Sequence, residues 1–143
     1  MSSRISLICR RVGAVLVGLL AVIVLSVGTD AVLHATGLFP PLGQPMSGRL
    51  FLLATAYRTV YGIIGGYIIA RLAPDHPMGL ALLMGFMGFV VCTIGAVATW
   101  NRGPEFGPHW YPIALIVTAI PCAWIGAKLA MARYQRAGSS NSL

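Results

Sequence analysis

One arginine lies inside an apolar segment that is long enough to cross a bilayer, and this feature constrains the whole chain. The segment runs from Leu50 to Ala70, LFLLATAYRTVYGIIGGYIIA, and the charge is Arg58. A guanidinium keeps its proton in proteins, and at membrane depth it costs at least ~2.5 kcal/mol even on insertion scales. The sequence therefore predicts that Arg58 faces protein or water and has a partner elsewhere in the chain.

The composition supports a membrane protein, because 57% of the residues are hydrophobic, 9% are charged and the mean hydropathy is +0.82. Soluble domains carry roughly 25% charged residues. The apolar residues fall into four runs, at 12–34, 50–72, 78–100 and 110–131. Each run is close to the ~20 residues that an apolar helix needs to cross a hydrocarbon core of ~30 Å. Since the runs are apolar on every face, their length and not their periodicity identifies them as spans.

We therefore predict an all-α membrane protein with four transmembrane helices in an up-down bundle. Residues 1–143 form a single integral membrane domain in this interpretation, and the polar tail 137–143 is disordered. The short connection 71–77 predicts a tight hairpin between antiparallel second and third spans. We expect Asp75 of this connection to lie in solvent near Arg71.

The basic residues predict the orientation of the spans. Two of them, Arg49 and Arg102, fall on one side of the predicted bundle. Seven fall on the side of the termini: Arg4, Arg10, Arg11, Arg71, Lys128, Arg133 and Arg136. Basic residues are enriched in cytoplasmic loops, so both termini are expected to be cytoplasmic, in a plasma membrane or a bacterial inner membrane. The net charge of +7 then reflects topology and contact with anionic lipid, and nucleic acid is not expected as a partner.

The first apolar run has an alternative interpretation as a signal peptide, because a basic segment precedes it. The run 12–34 is longer than the ~7 to 15 apolar residues of a signal peptide. In addition, the sequence Gly28-Thr29-Asp30 interrupts the run where a cleavage site would be expected. We therefore expect a helix that is retained in the mature protein.

An ion pair between Asp30 and Arg58 is the expected solution for the buried charge. The two residues lie at estimated depths of ~6 and ~12 Å from the same membrane face, and their side chains lean toward each other because Cβ atoms tilt toward a helix N-terminus. His34, Tyr57 and Tyr61 complete a polar site around the pair. Two interpretations stay open: a dry pair that anchors the bundle, and a hydrated pair that lines a path for an ion or small solute.

Glycines at helical spacing form a second pattern in the middle spans. The residues expected to pack against neighbouring helices are Gly62, Gly65, Gly66, Gly85 and Gly88. Small residues let helices approach closely in lipid, where van der Waals packing replaces the hydrophobic driving force. The pattern predicts packing of the second and third spans within the chain. A seam between copies of a homo-oligomer is the alternative.

Motifs for catalysis and cofactor binding are missing from the sequence. It contains no GxSxG, HExxH, GxGxxG, P-loop or CxxC motif, and only three acidic residues. The spacing of Asp30 and His34 is repeated by Glu105 and His109, which is a weak indication of a divalent metal site on the outer side. Gly107 and Pro108 argue against a helix there. We therefore expect no catalytic residues, no cofactor and no metal.

Four spans in a chain of this size resemble the architecture of small multidrug transporters. That family carries a carboxylate near the middle of its first span, and the corresponding region here, 19–26, has no acid. The resemblance therefore implies no residue role. We expect a non-catalytic accessory, scaffold or assembly subunit whose partners are the bilayer and either a second copy or another membrane subunit. The alternative is a small oligomeric transporter or channel that uses the Asp30 and Arg58 site.

Overall fold

A computed structural model describes the backbone of residues 2–140 and the side chains of residues 3–136. Four long helices account for most of this part of the chain: α1 Ser2–Ala35, α2 Gly48–Leu72, α3 Pro77–Thr99 and α4 Trp110–Ser140. A short 3₁₀-helix, Pro104–Phe106, lies between α3 and α4, and residues 2–140 contain no strand. All four long helices are long and apolar enough to cross a membrane, which confirms the predicted all-helical architecture.

Two helices are longer than the apolar runs that predicted them. α1 begins at Ser2 and not near Val12, because its basic first turns continue the same helix. α4 continues beyond Met131 to Ser140, so it includes 137–140 of the tail for which disorder is predicted, while 141–143 lie outside the described residues. Once a helix is nucleated, each added residue gains a hydrogen bond, and no proline stops either extension.

The connection between α2 and α3 is the tight turn that its prolines predict. α2 ends at Leu72, where the Ala73 N–H donates to the Ile69 carbonyl at 2.8 Å. His76 then takes a left-handed conformation, with φ 44° and ψ 51°, and Pro77 is the first residue of α3. A residue before proline is disfavoured in the right-handed helical region, so the helix cannot continue through this point.

Two ion pairs show that α1 runs antiparallel to α2. Arg11, near the start of α1, pairs with Asp75, just after α2. Asp30, near the end of α1, pairs with Arg58 in the first half of α2. We call the end of the bundle with the connections 36–47 and 100–109 the loop end. The other end, with the α2–α3 turn and both chain termini, is the terminal end.

α4 packs closely against α2 and α3, and α1 packs against α2 with a smaller contact to α3. The core consists largely of small residues, and α4 contributes Ala123, Ala127 and Ala130, each no more than 1% exposed. A Cβ atom placed on Gly66 of α2 would lie 2.6 Å from the Ala123 carbonyl oxygen and 2.8 Å from its Cα atom. The backbones of α2 and α4 therefore touch at a crossing where no larger residue fits.

The other predicted packing glycines also lie at contacts within the chain. Gly62 faces Cys122 of α4, and Gly65 faces Val22 of α1 and Met84 of α3. Two glycines of α3, Gly85 and Gly88, face α4 at Ala123 and Ala119. The glycines of α2 and α3 thus pack mainly on α4 and α1 and much less on each other. Gly126 of α4 approaches the α2 backbone at Ile63 and Tyr67, a contact that the sequence analysis did not predict.

Candidate polar site between α1 and α2

The carboxylate of Asp30 lies between two donors from α2. Arg58 Nη2 donates to Asp30 Oδ2 at 2.6 Å, and the Tyr57 hydroxyl donates to Asp30 Oδ1. The side chain of Arg58 is 33% exposed and that of Asp30 is 28% exposed. Because successive helix residues point in directions about 100° apart, Tyr57 and Arg58 reach the carboxylate from different sides. Both carboxylate oxygens are therefore bound by side chains of the same chain.

Arg58 also carries a polar atom that the ion pair does not satisfy. Its Nε atom is buried and has no hydrogen-bond partner. A buried donor without a partner costs roughly 1–3 kcal/mol. The guanidinium thus binds the carboxylate through Nη2, while Nε stays without a partner. This position is where a water molecule or a polar ligand atom would gain a hydrogen bond.

Tyr61 and His34 lie beside the pair and do not touch its carboxylate. The Tyr61 hydroxyl shares a hydrogen bond of 2.8 Å with the Thr29 hydroxyl, and the Tyr57 and Tyr61 rings have centroids 5.7 Å apart. His34 Nδ1 donates to the Asp30 backbone carbonyl at 2.8 Å. Of the five predicted site residues, Asp30, Tyr57 and Arg58 form the site itself.

Thr29 joins α1 to α2 beside the pair through its bond with Tyr61, and no sequence pattern marks it as a site residue. Threonine hydroxyls in apolar helices often bond to the carbonyl four residues earlier, which hides their role in the sequence. Thr55, Thr59, Thr93 and Thr118 make that bond in this protein, at 2.7–2.9 Å. The adjacent Asp30 is the only feature that marks Thr29 as different.

Two cavities meet at the ion pair, and both are lined by Asp30 and Arg58. The loop-end cavity, of about 170 Å³, lies below the connection 36–47 and is also lined by His34, Tyr57 and Glu105. Phe39 closes part of it from above, since this loop residue is only 4% exposed.

The second cavity, which we call the interhelical groove, lies on the other side of the pair and measures about 350 Å³. All four helices line it, and its walls are mostly apolar or small: examples are Val22, Gly62, Met84, Gly88 and Ala119. Hydroxyl and thiol groups add the remaining polarity, from Ser26, Thr59, Cys92, Thr118 and Cys122. The mixed polar and apolar lining of the loop-end cavity therefore gives way to mostly apolar walls on the other side of the ion pair.

The four residues whose spacing weakly indicated a metal site make separate contacts in the structure. His109 stacks on Trp100, with ring centroids 4.5 Å apart, and its Nε2 donates to the Trp100 carbonyl at 3.1 Å. Glu105 lines the loop-end cavity with Asp30 and His34. Among residues 3–136, no three His, Cys, Asp or Glu side chains are grouped so that they could hold a metal ion.

Asp75 pairs with Arg11 and not with the expected neighbour Arg71. Arg11 Nε donates to Asp75 Oδ1 at 2.8 Å and its Nη2 donates to Oδ2, so the pair is bidentate. These hydrogen bonds hold the pKa of Asp75 below its ordinary value. The prediction missed this pair because the antiparallel packing of α1 brings its first turns beside the α2–α3 turn, whereas Arg71 points toward α4 and lies over the Tyr134 ring.

The site is a polar fastening that holds α1 and α2 together, bordered by a small cavity of mixed polarity and a larger, mostly apolar groove. The described site contains a carboxylate, a guanidinium and hydroxyl groups, each bonded to a neighbour in the same chain. Comparison with protein-family models, curated proteins and solved structures gives no match to this chain.

Proposed function

We propose that this chain is a multi-pass integral membrane protein with both termini in the cytoplasm, acting as a non-enzymatic accessory or assembly subunit. Membrane insertion is supported by four helices of sufficient length and hydropathy. It is also supported by large apolar side chains on the outer faces, such as Leu20, Val91 and Val117, which are 62%, 66% and 65% exposed. Soluble monomeric proteins rarely expose so large a continuous apolar surface to water.

The ion pair is the single observation that favours a subunit role over transport. Each oxygen of Asp30 accepts a hydrogen bond from α2, and Arg58 balances its charge, so the carboxylate is already engaged in holding the two helices together. The cavity next to it on the terminal side is mainly apolar. A polar route from the loop end therefore stops at the pair.

Charge-neutral variants test this role. Asp30→Asn and Arg58→Gln are compared with the double variant in cells that lack the wild-type protein. If the pair is a structural fastening, each single variant loses folded protein, and the double variant recovers both its abundance and its co-purification with a partner subunit in fixed stoichiometry. Loss of that partner complex in a well-folded double variant would contradict a purely structural pair.

The runner-up function, a small oligomeric transporter, is favoured by one observation: the two cavities share Asp30 and Arg58 as lining residues. Reconstituted vesicles loaded with a pH-sensitive or potassium-sensitive dye separate the two functions. The subunit proposal predicts no flux above empty vesicles for the wild type. Flux in the wild type that disappears in the folded double variant would establish transport.

The proposed orientation has its own test in intact cells. Single cysteines are placed at Gln44 and at His76 in a background where Cys9, Cys92 and Cys122 are replaced. A membrane-impermeant thiol reagent is expected to label position 44 and not position 76. The reverse labelling pattern would overturn the orientation and leave the four-helix architecture intact.

A further inference from the structure

Arginines and tyrosines of α2 and α4 interleave at the terminal end of the bundle. The Arg71 guanidinium carbon lies 4.8 Å from the centroid of the Tyr134 ring, and that of Arg133 lies 5.8 Å from the centroid of the Tyr67 ring. Each helix thus supplies a cation to a ring on the other helix. We call Tyr67, Arg71, Arg133 and Tyr134 the basic–aromatic cluster.

Within residues 3–136, the cations of this cluster have no acidic partner, because the acidic side chains of that range are placed elsewhere. Asp30 pairs with Arg58, and Asp75 pairs with Arg11. Glu105 belongs to the 3₁₀-helix at the opposite end of the bundle. Ten basic residues and three acidic residues make up the charge of the chain. Any acidic partner of the cluster would therefore come from outside residues 3–136.

The cluster is accessible and its donors are oriented. Arg71 and Arg133 are both exposed. A guanidinium that stacks on a ring keeps the N–H groups along its edge available, and their planar fork matches the oxygens of a phosphate. Stacking also limits the rotamers of a long side chain, so less entropy is lost when an anion binds.

The position of the cluster fits a lipid headgroup. Arg71 lies one residue before the end of α2, and exposed apolar side chains adjoin the cluster, with Leu72 49% and Leu129 51% exposed. A phospholipid could place its phosphate on the two guanidinium groups and an acyl chain along this apolar surface. Tyrosine and arginine are also the residues that commonly lie at the headgroup level of membranes.

We propose that the basic–aromatic cluster binds the phosphodiester headgroup of an anionic phospholipid at the terminal end of α2 and α4. This inference rests on the proposed membrane insertion. It does not depend on the role of the ion pair, and lipid bound at this seam would stabilise the contact between the two helices. The cytoplasmic location of the site follows from the proposed orientation.

Native mass spectrometry of the full-length protein in detergent tests the site with phosphatidylglycerol as the probe. We expect Arg71→Gln combined with Arg133→Gln to weaken phosphatidylglycerol binding by ~10- to 30-fold, because two charges opposite the phosphate are lost. The control is Arg4→Gln combined with Arg10→Gln, which removes the same charge from exposed positions of α1 at the same end. Equal weakening by the two double variants would overturn the site.

A charge-preserving variant and two further ligands complete the test. Arg71→Lys combined with Arg133→Lys keeps both charges but loses the forked guanidinium geometry, so we expect it to retain only part of the phosphatidylglycerol affinity. Wild-type affinity in this variant would contradict bidentate recognition of the phosphate. Phosphatidylcholine should bind at least ~10-fold more weakly than phosphatidylglycerol, since its headgroup has no net charge. Soluble glycerol phosphate that binds as tightly as the phospholipid would overturn the lipid assignment. Because these measurements are made in detergent, they remain interpretable if cysteine labelling contradicts the proposed orientation.

Discussion

The loop half and the terminal half of the bundle hold the same helices together by different means. In the loop half, a charge pair and a tyrosine connect α1 to α2 between two cavities. In the terminal half, Gly66 brings the α2 backbone against Ala123, and the core around Ile69 is closed to solvent. The ion pair of the terminal half, Arg11 with Asp75, lies at the end of the bundle beside the α2–α3 turn. Its side chains are 37% and 30% exposed, close to the 33% and 28% of Arg58 and Asp30, so the two pairs differ in their depth along the helices and not in their exposed fraction.

This difference shows what each kind of contact requires from the sequence. Close packing needs small residues at several matched positions on two helices, but it needs no polar group. A polar fastening needs only one matched pair, and it can hold helices that leave space between them. The polar fastening is also the more fragile of the two, because removal of one partner leaves the other charge inside an apolar environment.

The largest expected effect is the loss of one charge from the loop half. Asp30→Asn or Arg58→Gln should lower the free energy of unfolding by ~3 kcal/mol, the lower end of the range for broken buried pairs, because about a third of each side chain is exposed. Thermal or denaturant unfolding in a mild detergent measures this loss. The double variant should be more stable than either single variant. If both single variants unfold like the wild type, the loop half is held by something other than this pair.

The next effect concerns the terminal half and uses alanine as the smallest probe. Gly66→Ala should destabilise by ~1–3 kcal/mol, because its Cβ would meet the Ala123 backbone and force α2 and α4 apart. Gly95→Ala is the matched control, since a Cβ there has no atom within 4 Å, and the better helix propensity of alanine should leave it unchanged or stabilised. Equal unfolding temperatures for the two variants would show that the crossing is not closely packed.

A smaller effect distinguishes the tyrosines of the loop half. Tyr57→Phe removes a hydrogen bond to a charged group and should cost ~1.5 kcal/mol, whereas Tyr61→Phe removes a bond to the neutral Thr29 hydroxyl and should cost ~0.5–1 kcal/mol. The same unfolding measurement in detergent compares the two. A greater loss from Tyr61→Phe would mean that Thr29, and not Asp30, is the main polar contact between the helices.

The smallest effect is expected for the surface pair of the terminal half, and it depends on pH. Because Arg11 lowers the pKa of Asp75 in the folded protein, the contribution of the pair is complete above the ordinary value of 3.8 and is lost as the pH falls through the lowered folded value. The stability difference between wild type and Asp75→Asn should therefore be present at pH 6 and shrink below pH 3.8. A difference that is constant down to low pH would rule out this pair as its source.

Much of the fold could be predicted because length and hydropathy identify apolar helices without knowledge of their neighbours. The partner of Arg58 could be proposed because few carboxylates exist and only Asp30 lies at a suitable depth. Beyond the α2–α3 hairpin and the ion pair of α1 with α2, helix neighbours could not be predicted, since four helices that are apolar on every face give no direction to their contacts. For that reason Gly126 and the pairing of Arg11 with Asp75 were missed. The ends of α1 and α4 were missed because a charged residue ends an apolar run without ending a helix.

The two ion pairs of α1 have opposite polarity, and this gives the bundle an electrostatic direction. Along α1 the order is positive then negative, Arg11 and Asp30, and the antiparallel partner positions are Asp75 and Arg58. If α1 lay parallel to α2, Arg11 would face Arg58 and Asp30 would face Asp75, so both contacts would become repulsive. A shift of one helical turn along α2 would separate both pairs together. Four side chains thus specify the orientation and the register of α1 on α2, in addition to the close contact of Val22 with Gly65.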